Sequence, residues 1–359
     1  MSHLTNFQQS IQEQGYDAAL VTDGLNLQYL SGFAFDDGAV LVMRDAAFLL
    51  TDFRYVEAAQ ESVCEGMQVL TPEGGMIDAI RSLLNEHCCT RVAVEEDALS
   101  LSAFERYRNT LVGITLTGGA SAMLSRLRLH KDDDELAIIA HAQSITDAAF
   151  SHILKVLTPE MTEIDVALEL EMYMRRHGAD GFAFDTIAVS GSNSSRPHGV
   201  PRPVTLEKGF LTMDFGARVN GYCSDMTRTV VLGRADAEMK KIYETVRTAQ
   251  TVALEAAAEG VSCRALDTAA RSVIHGAGYK GCFGHSLGHG VGMYVHEEPR
   301  LSPKAEDGSV LERGHVVTFE PGIYIEGKYG CRIEDMVAVC NDGSIRNFTK
   351  STKELIELF

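Results

Sequence analysis

The chain has 359 residues, 45% hydrophobic and 23% charged, with a formal net charge of −18 at pH 7. That length suggests two domains, each able to bury its own core, in an ordinary globular composition. The acidic balance argues against a phosphate-backbone partner, which needs a basic face, and no apolar run approaches the roughly 18 residues of a membrane span. No basic segment followed by an apolar one opens the chain, and the eight cysteines show neither CxxC nor zinc-finger spacing. Both features fit a cytoplasmic protein with reduced thiols.

From the N-terminus, Phe7 to Gln14 reads as a helix closed by Gly15, followed by a strand at Ala18-Ala19-Leu20-Val21. Ala39–Met43 and Ala47–Thr51 read as a hairpin, and Arg54 to Gly66 as a helix. Arg91 to Glu95 reads as a strand and Ser102 to Leu111 as a helix. The segment Asn26 to Phe33 is apolar with one turn glycine and is read as packing. This α/β region carries no convergent set of chemical groups.

A boundary is expected near Leu124 to His130. Lys131-Asp132-Asp133-Asp134-Glu135 opens a long helix, with its acids in the first turn where the helix dipole favours them. A second helix is expected from Thr162 to His177, stopped by Gly178.

Beyond it lies a short internal repeat. Leu206-Glu207-Lys208-Gly209 leads to Asp214, Gly216 and Cys223-Ser224-Asp225-Met226, and Leu311-Glu312-Arg313-Gly314 leads to Glu320, Gly322 and Cys331-Arg332-Ile333-Glu334-Asp335-Met336. Each half reads as a hairpin with two carboxylates, turning at Asn220-Gly221 and around residues 326–330. Two such hairpins facing each other would pool Asp214, Asp225, Glu320 and Glu334. His289, between Gly288 and Gly290, is the fifth member.

Each of these five residues sits in an apolar or glycine-rich segment, where an unpaired charge costs several kcal/mol or more. Converging, they would repel one another unless positive charge lay between them. Two divalent cations meet that need, and two-metal sites perform hydrolysis. Carboxylates suit manganese, magnesium or cobalt, and one imidazole leaves room for zinc or iron(II). The competing reading is a set of buried salt bridges to Arg228 and Arg332, which leaves His289 unexplained. His285 and His296 flank His289 in a glycine-rich segment read as a loop entering a strand. His198, in Pro197-His198-Gly199, is a further candidate.

With these residues in hand, the chain resembles the M24-type pita-bread metallopeptidases of the aminopeptidase P and prolidase branch. The motifs are Pro197-His198-Gly199, Met213-Asp214-Phe215-Gly216, Ser224-Asp225-Met226-Thr227-Arg228, Gly288-His289-Gly290, Val295-His296-Glu297, Glu320-Pro321-Gly322 and Arg332-Ile333-Glu334-Asp335. Asn26 to Phe33 and Leu50 to Tyr55 resemble the creatinase/prolidase N-terminal domain more loosely. The resemblance implies an α/β (α+β) fold: a small N-terminal domain over residues 1–124, then a pita-bread catalytic domain over 125–359 with approximate two-fold symmetry.

It also implies roles. Asp214 would hold one ion, His289 and Glu320 the other, and Asp225 and Glu334 would bridge both around a nucleophilic hydroxide. Glu320 would relay a proton to the leaving amine, and His198 and His296 would steady the tetrahedral oxygen. His285 and Arg332 would stand behind the ligands or at a subsite, with Arg332 beside a bridging carboxylate. The implied activity is an exopeptidase cleaving short peptides after the first residue when proline is second, with manganese the expected metal and a homodimer the expected assembly. A methionine-aminopeptidase-like or broader aminopeptidase is the alternative, disfavoured by the first 120 or so residues. A pita-bread protein reduced to peptide binding would have lost ligands, and no ligand position departs from the family pattern here.

Overall fold

The computed structural model describes residues 2–359. Two compact units divide at Arg128 and Leu129.

In the first unit a six-stranded sheet runs in the order Gln68–Leu70, Ala47–Thr51, Gly38–Met43, Ala18–Val21, Arg91–Val94, Thr115–Gly118. The hairpin read from sequence pairs Gly38 with Thr51 and Val42 with Ala47. Its strands and the Ala18–Val21 strand are almost wholly buried, so they read as continuous apolar runs. The segment read as packing forms the helix Gly24–Ser31, capped by the Asp23 side chain and ended by Gly32 in the left-handed region. One helix is shorter than its pattern suggests: Val56–Ser62 in place of Arg54 to Gly66. Asp52 holds the Arg54 amide and guanidinium, which keeps residues 52–55 in a turn, and the chain leaves the helix extended at Val63.

The second unit is built twice over. Helices Asp133–Val156 and Glu163–Arg176 bury Ile145, Phe150 and Leu170 against Leu211, Met213 and Val230 of a four-stranded sheet. Helices Ala237–Glu255 and Cys263–Gly276 bury Ile242, Val246 and Leu266 against Val317, Phe319 and Val337 of a five-stranded one. The long helix begins with a capping box between Asp132 and Glu135, which satisfies two orphan donors and confirms the acidic cluster as a helix start.

The duplication reaches further than the sequence repeat. Thr162 and Ser262 each cap a 14-residue helix, and each forms an isolated bridge to the chain ahead of its hairpin, to Thr205 and Val310. No helix among the described residues is long and apolar enough to cross a membrane.

Candidate metal centre

Strand pairing brings the acids together. Asp214, in the strand Gly209–Phe215, lies opposite Thr227 of Met226–Leu232, and Asp225 directly precedes that second strand. Between them Asn220 and Gly221, with φ of 48° and 83°, close the pair Val219–Tyr222, the turn that Asn-Gly favours. In the other half Phe319 faces Asp335, which places Glu320 and Glu334 at the same end of their ladder. The halves meet where Thr227 Oγ1 donates to Glu334 Oε2 at 2.7 Å and the Glu334 amide donates to Thr227 O at 3.1 Å.

His289 is central in the strand Gly288–Gly290. A Cβ at position 288 would lie 1.9 Å from Thr318 O, and one at 290 would lie 2.1 Å from Glu298 O. Only glycine fits on either side of it. Nδ1 of His289 is 3.0 Å from Gly290 O, and a carbonyl can only accept, so Nδ1 carries the proton and Nε2 is bare. That bare nitrogen faces Glu320 Oε1 at 3.4 Å and Asp225 Oδ2 at 3.7 Å. Ligand atoms of Asp225, His289 and Glu334 lie within 4.8 Å of one another, all three residues buried.

Asp214 completes the group. Its Oδ2 accepts from the Arg332 guanidinium at 2.6 Å, while its Oδ1 is buried without a hydrogen-bond partner. Arg332 was expected beside a bridging carboxylate; it pairs instead with Asp214 and donates to Thr227 Oγ1 at 3.0 Å. Arg228 serves none of the four acids' side chains. It binds Asp335 Oδ1, the carbonyl of Glu334 and the carbonyls of Ser351 and Thr352. A salt-bridge set therefore accounts for Asp214 alone.

The electrostatics agree. Burial, then Asp214 and Glu320, push Asp225 well above the usual carboxylate range, and burial with Asp225 and Glu320 does the same to Glu334. Burial raises Glu320 to about 8 against the pull of Arg332, and burial lowers His289 to about 3. Without cations the charged forms of Asp225, Glu320 and Glu334 are disfavoured; with them the same oxygens and the bare imidazole nitrogen become a hard, anionic donor set. The residues fit divalent ions.

A consequence can be measured. A carboxyl raised in the folded state contributes stability that is full below its unfolded pKa and lost as pH rises through the folded one, here from about 4.5 to about 8. Chelated protein therefore melts at least about 4 °C lower at pH 8 than at pH 6, and manganese added at pH 8 restores the loss. Equal melting temperatures at both pH values, unmoved by metal, would contradict the site.

The remaining expected residues gather around a cavity of about 360 Å³ lined by His198, His285, His296 and Arg332, together with Asp214, Asp225, His289, Glu320 and Glu334. His198 and His296 are exposed at it, with the His296 ring 4.4 Å from that of His289. His285 is held back: Nδ1 donates to Ser286 O, so Nε2 accepts from Tyr324 Oη at 3.0 Å, and Tyr324 accepts from Arg332 at 2.7 Å. Tyr294 does not line the cavity. Phe184, Ile187, Pro197 and Val295 do.

Three contributors escaped the sequence reading: Thr227, Tyr324 and Arg300. Each stands two or four residues along the chain from a residue already named: Thr227 from Asp225, Tyr324 from Glu320, Arg300 from His296. Arg300 is the cavity's second arginine, and its guanidinium has no ion-pair partner among the described residues.

Comparison with known proteins places these features. Residues 137–341 match metallopeptidase family M24, and residues 3–130 match the creatinase/prolidase N-terminal domain. The Xaa-Pro dipeptidase of Pyrococcus furiosus is 36% identical over 349 residues, covering 96% of this chain and 97% of the relative. The structure of an Xaa-Pro dipeptidase from Bacillus anthracis superposes with a TM-score of 0.93 at 38% identity, over 99% of both chains. An X-Pro aminopeptidase from Thermotoga maritima gives 0.90 at 34%, over 98% of this chain and all of the other. With more than half the chain matched and full-length relatives above 30% identity, the chain belongs to metallopeptidase family M24 and is a peptide-bond hydrolase.

Proposed function

We propose that the chain is a dinuclear-metal exopeptidase that hydrolyses Xaa-Pro dipeptides. The observation that carries the metal reading is the bare Nε2 of His289 wedged against Asp225 and Glu320. Asp214, Asp225, His289, Glu320 and Glu334 would hold the ions, Asp225 and Glu334 shared between them, and manganese suits this carboxylate-rich set. When bound, the ions supply Lewis-acid activation of a water and of the scissile carbonyl.

The chain's own groups do the rest. Glu320 Oε1 accepts from Thr318 and faces His289, which leaves Oε2 to take the proton of the attacking water and pass it to the leaving nitrogen. His198 and His296 donate N–H groups to the oxygen on which charge develops. The Arg332–Tyr324–His285 chain fixes Asp214 on one side and the His285 ring on the other. Phe184, Ile187, Pro197 and Val295 offer the proline ring an apolar wall without side-chain acceptors. Proline brings no amide hydrogen to the scissile bond, so none is needed.

Arg300 decides between dipeptides and longer chains. A free cation at the cavity's edge matches the C-terminal carboxylate of a dipeptide, which in a tripeptide lies one residue further out. Arg300→Met raises KM for Ala-Pro by about tenfold or more with kcat little changed, and it narrows the gap between Ala-Pro and Ala-Pro-Ala. An unchanged KM would remove Arg300 from this role.

The specificity itself is tested with Xaa-Pro and Xaa-Ala di- and tripeptides, assayed with manganese, cobalt and zinc in turn. Ala-Pro is cleaved fastest. Faster cleavage of Met-Ala-Ser under every metal would overturn the proline preference and leave the metallopeptidase standing.

A further inference from the structure

The turn that carries His296 is built on a buried ion pair outside the proposed chemistry. Lys131 stands just ahead of the helix Asp133–Val156, with its side chain 1% exposed. Its amide donates to Gly314 O at 2.9 Å, and its Nζ lies 3.0 Å from Glu297 Oε2, on a side chain 7% exposed. The other Glu297 oxygen accepts from the Tyr294 amide at 3.2 Å. One carboxylate thus closes the turn 294–297 and anchors it to the start of the long helix.

The space for it is reserved. A Cβ on Gly292 would lie 2.5 Å from Glu297 Oε2. On the turn's other flank Cys223 donates through its amide to Gly292 O at 2.8 Å and through its thiol to Met293 O at 3.5 Å. His296 and Glu297 are neighbours, and successive side chains at a strand's start point to opposite faces. Glu297 goes to Lys131 and His296 to the cavity.

We infer that Lys131 and Glu297 are positioning residues that set the His296 ring in the cavity. The inference rests on the reading of His296 as a donor to the developing oxyanion. Such a donor lowers the barrier only if it is already in place when charge appears, and a displacement of about 1 Å can cost up to about 100-fold in rate. The bonds from Cys223 hold Gly292 and Met293 just ahead of the turn, and the pairing of Glu297 with Gly290 holds the backbone at its end; the ion pair fixes the direction of the Glu297 side chain, one residue from the imidazole. For stability alone a matched apolar pair would serve as well. A carboxylate bound at both oxygens specifies an orientation.

The experiment uses the metal-loaded, full-length protein. Glu297→Gln, Lys131→Met, the double variant Lys131→Met/Glu297→Gln and His296→Ala are compared for kcat and KM on Ala-Pro, bound metal and melting temperature. Each of the first two is also made in the His296→Ala background. Each single positioning variant lowers kcat about tenfold or more, with KM within about twofold and metal content unchanged. The double variant leaves no unpaired buried charge, so it regains melting temperature but not kcat. In the His296→Ala background neither substitution lowers kcat further, because the ring they place is gone.

Recovery of kcat together with melting temperature in the double variant would reduce the pair to a structural contact. Losses that multiply with His296→Ala would do the same, and in both cases the reading of His296 would survive. An unchanged kcat in His296→Ala would remove both.

Discussion

Asp225→Asn lowers kcat by at least about 1000-fold, the several kcal/mol that correct metal placement supplies to the transition state. Asp225 Oδ2 lies 3.7 Å from His289 Nε2, and its ligand atom is within 4.8 Å of those of His289 and Glu334. A neutral amide there removes charge from the centre of the donor set and releases at least one ion. The fold survives, because the change is nearly isosteric and burial with Asp214 and Glu320 already disfavours the Asp225 charge in metal-free protein. The chelated variant therefore melts no lower than the chelated parent. Kinetics on Ala-Pro with metal analysis of the same sample checks this. Two retained ions and a loss under about tenfold would show that Asp225 is not shared between ions.

His296→Ala fails differently: kcat falls about 100-fold with both ions retained. The ring lies beside His289 at the cavity and makes no hydrogen bond to any of the four acids. Its N–H acts on charge that grows only in the transition state, so the loss appears in kcat more than in KM. His198→Ala follows the same pattern. Metal loss in either variant would mean that a ligand had been taken for an oxyanion donor.

Much of this arrangement is legible in the sequence because charge in an apolar strand is conspicuous. Asp214 in Leu-Thr-Met-Asp-Phe and Glu320 in Val-Val-Thr-Phe-Glu stand out against neighbours that can only be buried, and burial forces a partner on each of them. The Asn220-Gly221 turn, the strand Ala18–Val21 and the Gly38–Thr51 hairpin are local decisions of turn chemistry and continuous apolar runs. The helix at Val56–Ser62 was read too long because apolar periodicity carries no signal for an Asp52 side chain that holds the chain back.

Polar residues beside the acids were harder to find. Thr227 and Tyr324 are common residues in strands, and their hydroxyls gain meaning only when Glu334 or His285 lies within 3.0 Å. Arg332 is recognisable in the sequence, but its partner is not: the expectation is a bridging carboxylate, Asp225 or Glu334, and the guanidinium pairs with Asp214 in the other half.

What the sequence determined by itself is the list of charges that burial makes costly, and the turns and alternation that place each on a strand. Those are local properties, set by side-chain chemistry and the two-residue period of a strand. What only the tertiary structure decided is which atoms meet. The bare nitrogen of His289 depends on one carbonyl at 3.0 Å, and the seat of Lys131 depends on Glu297, far along the chain. Such contacts follow from two halves closing on one another across long loops of chain, and no local preference records the register at which they close.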